Sequence, residues 1–263
     1  MAADMQEMLG SMGTGEEGIA TNVDIVFVID ATGSMQTTID MVKEAALSFH
    51  EKLYGVMEKA KRSINNLRIK VVWFRDFYYD GNFAYDESKF FELPEESEEF
   101  RDFVGGIQAA GGGDIPESGL EALTMAMRSD FVQEGEKKRH IIVLFTDAPA
   151  HPFEDYDKIS AEAAKKGCKP TMYPENMPKD LAEFYNAWEC NPSSQDALGC
   201  DGGRGTTKLD ADGRRLVLFA PNDYPWADME VVLEKTMKVD IEPENGGREL
   251  DMDQVYNLIR YSM

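Results

Sequence analysis

Residues 23–34 read VDIVFVIDATGS, and this stretch decides the fold. Its first eight residues are almost all apolar and largely β-branched, which is typical of a parallel strand buried on both faces. Residues 31–34 interrupt the run, and from Met35 onward apolar residues recur at helical spacing. We therefore predict a strand that ends at Asp30 and continues through a short polar loop into a helix.

Further strands and helices alternate along the rest of the chain. We predict strands at 67–74, near 90–93, at 140–147, at 216–220 and near 237–241, and helices near 95–104, 116–127, 156–166, 178–188, 226–233 and 251–260. This order favours an α/β fold, a doubly wound (Rossmann-like), mostly parallel sheet with helices on both faces. Ligands of such sheets bind at the carboxyl ends of the strands, which tells us where to look for a site.

The chain of 263 residues is long enough for one hydrophobic core with insertions. We interpret residues 1–21 as a flexible lead-in and residues 22–263 as one domain. A segment near 190–213 is rich in glycine, serine, aspartate and threonine and is interpreted as a surface insertion.

The net charge is −22, which disfavours nucleic acid and membrane surfaces as partners and favours solubility, basic partners or cations. No apolar run approaches the roughly 20 residues that a membrane span needs, and the N-terminus lacks the regions of a signal peptide, so we expect a cytoplasmic protein. The three cysteines are expected to be reduced thiols. A zinc site would need more ligands, and the three histidines are scattered in the sequence.

Three predicted strand ends or loops carry an aspartate: Asp30, Asp114 and Asp147. The first loop adds two hydroxyl groups, those of Thr32 and Ser34. If the strands are neighbours, the three carboxylates share a small volume and repel each other unless a cation is present. Sites made only of oxygen ligands suit Mg²⁺, Ca²⁺ or Mn²⁺. The alternatives are helix capping for the hydroxyls and for Asp114, and a turn for Asp147.

The segment Asp30-x-Thr32-x-Ser34 resembles the Asp-x-Ser-x-Ser signature of the metal-ion-dependent adhesion site in von Willebrand factor A domains, with threonine for the first serine. Asp147 matches the aspartate that the family carries at the end of a later strand. The sequences of residues 111–117 and 147–151 are similar to those of the subgroup of von Willebrand factor A domains that is attached to alpha-kinases. The resemblance covers roughly residues 22–150.

This resemblance implies a non-enzymatic protein-binding module that holds one divalent cation, with Mg²⁺ as the first expectation and Ca²⁺ or Mn²⁺ as alternatives. It implies a protein partner at the metal, such as an ATPase or kinase system, and leaves the oligomeric state open. Asp114 falls where the family usually has threonine. As a direct ligand, this additional carboxylate would tighten cation binding and weaken the capture of an acidic partner.

Two other functions remain as alternatives. A metal-dependent phosphotransferase or phosphatase could use an aspartate at a strand end, but the second acid expected two residues later is Thr32. A scaffold with a vestigial metal site would bind its partner without a cation. We expect Arg75 and Asp76 to form a pair, His151 to be a loop histidine, and Glu117 to favour a helix N-terminus.

Overall fold

The computed structural model of the chain describes residues 21–46, 48–189, 208–248 and 250–263. Almost all of the predicted lead-in and residues 190–207 of the predicted insertion lie outside the described residues. Within the described ranges, no helix combines the length and the apolar character that crossing a membrane requires.

Seven strands and eight α-helices make up the described part of the chain. The strands are β1 Thr21–Asp30, β2 Ile64–Phe74, β3 Tyr85–Glu87, β4 Phe91–Leu93, β5 Lys138–Phe145, β6 Arg214–Ala220 and β7 Thr236–Asp240. The helices are α1 Gln36–Ala46, α2 Phe49–Lys59, α3 Ser97–Gly106, α4 Gly119–Met127, α5 Tyr156–Lys165, α6 Leu181–Glu189, α7 Trp226–Val232 and α8 Met252–Ser262.

All seven strands form one sheet in the order β3-β2-β1-β5-β6-β7, and β4 also pairs with β2. The pairings among β2, β1, β5, β6 and β7 are parallel, whereas β3 and β4 run antiparallel to β2. The predicted doubly wound, mostly parallel fold is confirmed. Strand order reverses between β1 and β5, so a ligand site is expected at the carboxyl ends of these two strands.

Alternate residues of the buried strands pack into two separate cores. Phe27 and Ile29 of β1 face the core that includes side chains of α1, α2, α3 and α8. Val26 and Val28 face the opposite core, which includes side chains of α4, α6 and α7. Because strand side chains alternate between faces, a continuous apolar run is what a sheet covered on both sides requires.

The single charge inside the apolar run of β1, Asp24, is fully paired. Arg68 of β2 donates to both carboxylate oxygens of Asp24 at 2.8 and 2.6 Å, and the Val132 amide donates at 2.6 Å. A two-pronged guanidinium–carboxylate contact compensates for the burial of the charge. Asp24 therefore joins β1 to β2 and to the segment before β5.

Three local features differ from the sequence predictions. The helical pattern after β1 forms two helices, α1 and α2, with α2 preceded by Ser48. Helix α4 begins at Gly119 and not at Pro116, because the main chain of Glu117 pairs with the loop after β5. Strand β3 was not predicted, because its three residues, a half-buried tyrosine and two exposed acids, show no apolar alternation.

The aromatic centre of the first core should dominate stability. Phe27 is 1% exposed and packs edge-on against Phe49, with ring centroids 5.3 Å apart. Phe27→Ala should lower the free energy of unfolding by about 3–5 kcal/mol, measured by urea denaturation. The matched control Phe83→Ala, at a side chain that is 72% exposed, should change it by less than about 0.5 kcal/mol. Equal effects of the two changes would contradict this packing.

Candidate metal site

The ends of β1 and β5 place two aspartates side by side at the point where strand order reverses. Asp30 is the last residue of β1, and Asp147 follows β5 by two residues. Main-chain hydrogen bonds continue beyond both strands, from the Ala31 amide to the Phe74 carbonyl at 2.7 Å and from the Thr146 amide to the Phe219 carbonyl at 3.0 Å. The sheet itself therefore fixes where both carboxylates lie.

Asp30 is completely buried and surrounded by hydroxyl donors. Its Oδ1 accepts hydrogen bonds from the Thr32 amide at 2.9 Å and the Thr32 hydroxyl at 2.6 Å, and its Oδ2 accepts from the Thr146 hydroxyl at 2.7 Å. Burial raises the pKa of Asp30 to about 6; the hydrogen bonds from Thr32 and Thr146 oppose this, and the charge of Asp147 adds to it.

Asp147 is held by groups from both ends of the chain. The Ser34 hydroxyl donates to its Oδ1 at 2.9 Å, and the Gly246 amide donates to its Oδ2 at 2.7 Å. Gly246 has φ +65°, and a Cβ there would lie 2.2 Å from the Ser34 carbonyl oxygen. Only glycine fits this close approach without a shift of the main chain.

The two hydroxyl groups are oriented as cation ligands need to be. Thr32 gives its hydroxyl proton to Asp30, and Ser34 gives its proton to Asp147. A hydroxyl group that donates its proton keeps its oxygen lone pairs, which can bind a cation. Both residues line a cavity of about 320 Å³, together with Gly112, Asp114 and Asp147.

A loop of three glycines closes one side of this cavity. Gly111 and Gly112 have φ +75° and +90°, and a Cβ on Gly111 would lie 2.1 Å from Asp80 Oδ1. Asp80 Oδ2 accepts from the Gly112 amide at 3.0 Å and from the Asp76 amide at 3.1 Å. Asp80 therefore ties the glycine loop to the segment that follows β2.

Glu117 lines the same cavity and is only 5% exposed. Its Oε2 has no hydrogen-bond partner among the described residues. Burial raises its pKa to about 11, with a further contribution from neighbouring carboxylates, of which Asp30 is the strongest. An unpartnered, buried carboxyl group beside other carboxylates is a candidate cation ligand.

Residues 86–180 match the family model of the von Willebrand factor A domain. The predicted resemblance to this family is confirmed for these residues. The matched range includes Asp114, Glu117 and Asp147, whereas Asp30 and its hydroxyl donors precede it.

Two curated relatives are similar to about half of this chain. The alpha-protein kinase vwkA of Dictyostelium discoideum is 26% identical over 132 residues, which are 50% of this chain and 19% of the kinase. A putative ariadne-like RING finger protein, R811, of Acanthamoeba polyphaga mimivirus is 28% identical over 131 residues, 49% of this chain and 11% of that protein. The similarity therefore spans a fifth or less of each relative.

Two solved structures align with most of this chain at low identity. The pilus adhesin SpaC from Lactobacillus rhamnosus GG, in its open conformation, has a TM-score of 0.46 at 12% identity, covering 93% of this chain and 31% of the adhesin. Proximal thread matrix protein 1 from the mussel byssus has a TM-score of 0.45 at 14% identity, covering 93% of this chain and 50% of that protein.

The structure brings together Asp30, Thr32, Ser34 and Asp147 at one edge of the sheet, and it places Asp114 on the rim of the cavity. The Asp114 side chain is 34% exposed, and its Oδ1 lies 3.3 Å from His151 Nε2. The residue that begins α4 as N-cap is Ser118, without a side-chain capping bond. Whether Asp114 binds the cation stays a prediction.

Three neighbouring residues have roles that the sequence did not indicate. Arg75 donates to three carbonyl oxygens, those of Ala31, Phe83 and Gln108, at 2.8–3.1 Å, and so joins three loops instead of pairing with Asp76. The Glu117 side chain enters the cavity. Gly246 reaches the site from 99 residues beyond Asp147. The glycine pair 246–247 was the one signal in the sequence that could have marked that contact.

The raised pKa of Glu117 predicts how the stability of the cation-free domain depends on pH. Because the folded-state pKa of about 11 exceeds the ordinary value of 4.5, protonation of Glu117 favours the folded state. This contribution is complete below pH 4.5 and is lost as the pH rises toward 11.

In the presence of chelator, Glu117→Gln should therefore raise the free energy of unfolding at pH 8 by at least about 1 kcal/mol. This gain should shrink as the pH falls to 5 and below, measured by urea denaturation across pH. The exposed control Glu98→Gln should show neither effect. A loss of stability at pH 8 in Glu117→Gln would show that the carboxylate is stabilised in a way the geometry does not reveal.

Proposed function

We propose that the chain forms a von Willebrand factor A domain that acts as a metal-ion-dependent protein-binding module without enzymatic activity. The observation that carries the proposal is the pair of hydroxyl groups, Thr32 and Ser34, each of which donates its proton to a buried aspartate and keeps its oxygen lone pairs for a cation. The cation would be held by Asp30, Thr32, Ser34 and Asp147, directly or through water, with a further carboxylate from the glycine loop.

The charges favour a divalent cation. Asp30 and Asp147 are both at most 1% exposed, and Glu117 adds an unpartnered carboxyl group. A dication offsets the repulsion among these groups, and the donor set contains only oxygen atoms, which Mg²⁺ prefers and Ca²⁺ or Mn²⁺ accept. When bound, such an ion supplies an open coordination position for an oxygen atom of a partner.

Two acidic residues compete for the ligand position of the glycine loop. The sequence motif assigns this ligand position to Asp114, whose carboxylate contacts His151. The geometry favours Glu117, which is buried and whose neighbours in the cavity wall include Thr32 and Gly112. We therefore expect Glu117→Gln to weaken Mg²⁺ binding more than Asp114→Asn does.

The partner would be a protein that presents a neutral or basic group to an acidic rim. Asp114, Glu117, Asp147 and Glu244 all line the cavity, so one bound dication leaves little attraction for an acidic side chain. Ile115 on the same rim is 58% exposed and offers an apolar contact. The kinase-associated relative points to a kinase system, and the family resemblance to ATPase systems, as the setting of such a partner.

The cation site can be tested by calorimetric titration of Mg²⁺, Ca²⁺ and Mn²⁺ into metal-stripped protein. We expect one saturable site, weakened at least about tenfold by Ser34→Ala, since a hydroxyl ligand is lost. Ser34 is exposed, so this change should not disturb the core. The matched control is Thr37→Ala, an exposed hydroxyl on α1 that does not line the cavity. If no cation binds at millimolar concentrations, the proposal is wrong and the alternative, a scaffold with a vestigial metal site, replaces it.

Partner binding can be tested with immobilised domain and a lysate of its source cells. We expect specific proteins to bind in Mg²⁺, to be released by chelator and to be absent from Ser34→Ala, because the partner completes the coordination of the cation. The Thr37→Ala domain should retain the same proteins. Proteins that remain bound equally in chelator would contradict a metal-dependent contact.

A further inference from the structure

A second group of ligand atoms lies beside the hydroxyl-lined cavity. Asp76 follows β2, Asp114 belongs to the glycine loop, and His151 follows β5. Each offers one ligand atom, and the three atoms lie within 4.8 Å of one another. The cluster contains a nitrogen ligand atom, in the imidazole of His151. The residues that line the cavity of Thr32 and Ser34 include no histidine.

The distances match a coordination shell. His151 Nε2 lies 3.3 Å from Asp76 Oδ2 and 3.3 Å from Asp114 Oδ1. Ligands about 2.0–2.1 Å from a tetrahedral metal ion are about 3.3 Å apart from each other. Both distances are longer than a strong charge-assisted hydrogen bond, in which the two atoms are about 2.7–2.9 Å apart.

The ligand groups are held in place by contacts on their other sides. The Tyr78 amide donates to Asp76 Oδ1 at 2.7 Å, so Oδ2 is the oxygen that faces His151. The His151 ring packs edge-on against the Tyr78 ring, with centroids 5.1 Å apart. The His151 amide donates to the Glu117 carbonyl at 3.0 Å, which binds the loop after β5 to the glycine loop. Such supporting contacts are typical of metal ligands.

The negative charges around the cluster favour a bound cation. Asp76 is completely buried, and the nearest basic residue in sequence, Arg75, is engaged with carbonyl oxygens. Glu117, 5% exposed and with Oε2 unpartnered among the described residues, lies close enough to Asp76 and Asp114 to feel their charges. One neutral imidazole and two carboxylates would balance one dication.

We propose that Asp76, Asp114 and His151 form a second metal site, specific for a transition-metal dication such as Zn²⁺, Mn²⁺ or Co²⁺. An imidazole nitrogen with two carboxylates favours these ions over Mg²⁺ and Ca²⁺. The third ligand, Asp114, is 34% exposed, which gives the ion a route from solvent. The proposal is independent of the cation bound by the hydroxyl groups. It assigns Asp114 to the second site and leaves Glu117 to the first.

The test is a Co²⁺ titration of the whole chain, followed by the visible absorption of the bound ion and by calorimetry. Excess Mg²⁺ fills the hydroxyl-lined site, and alkylation of the cysteines removes thiolate ligands. We expect one equivalent of Co²⁺, displaced by Zn²⁺ and not by Mg²⁺. His151→Gln and Asp114→Asn should each weaken Co²⁺ binding at least about tenfold. His50→Gln, at a half-buried histidine of α2, is the matched control and should bind as the wild type does.

Three outcomes would overturn the proposal. The first is that the wild type shows no saturable Co²⁺ binding, and the second is that His151→Gln and Asp114→Asn bind Co²⁺ as tightly as the wild type does. The third is that Mg²⁺ displaces Co²⁺. Ser34→Ala separates the two sites, because it should weaken Mg²⁺ binding and leave Co²⁺ binding in place. If circular dichroism shows that His151→Gln is unfolded, Asp114→Asn decides, since its side chain is partly exposed and lies outside the core.

Discussion

The burial of carboxyl groups at the carboxyl ends of β1 and β5 is the constraint on which the rest of this site depends. Asp30 cannot move away from Asp147, because the hydrogen bonds of a parallel sheet fix both strand ends. Hydroxyl groups and a glycine amide therefore have to accommodate the charge. Hydrogen bonds to the charged form offset part of the desolvation, yet the pKa of Asp30 remains raised to about 6.

The surrounding loops are held by main-chain contacts and not by opposite charges. Arg75 donates only to carbonyl oxygens in its three described bonds, and the Asp80 carboxylate accepts from two main-chain amides. The amide of Glu117 donates to the Pro149 carbonyl, and the amide of His151 donates to the Glu117 carbonyl. These bonds position the acidic side chains without bringing an opposite charge to them.

Every strand except β3, and the meeting of Asp30, Thr32 and Ser34 at one sheet edge, could be predicted from sequence because they depend on local patterns. A buried strand ends at Asp30, and the next residues with oxygen side chains must lie at that sheet edge. The path of the glycine loop could not be predicted, since it depends on positive φ angles and on contact with Asp80, 31 to 33 residues earlier. That path decides that Glu117 enters the cavity and that Asp114 turns toward His151.

Glu117 connects the two groups of ligands. Asp30 of the first group and Asp76 and Asp114 of the second all raise its pKa in addition to the effect of burial. Burial and these charges therefore favour the neutral form of the carboxyl group when no cation is near it. A cation close to Glu117 lowers this pKa and releases the proton, so cation binding is linked to pH.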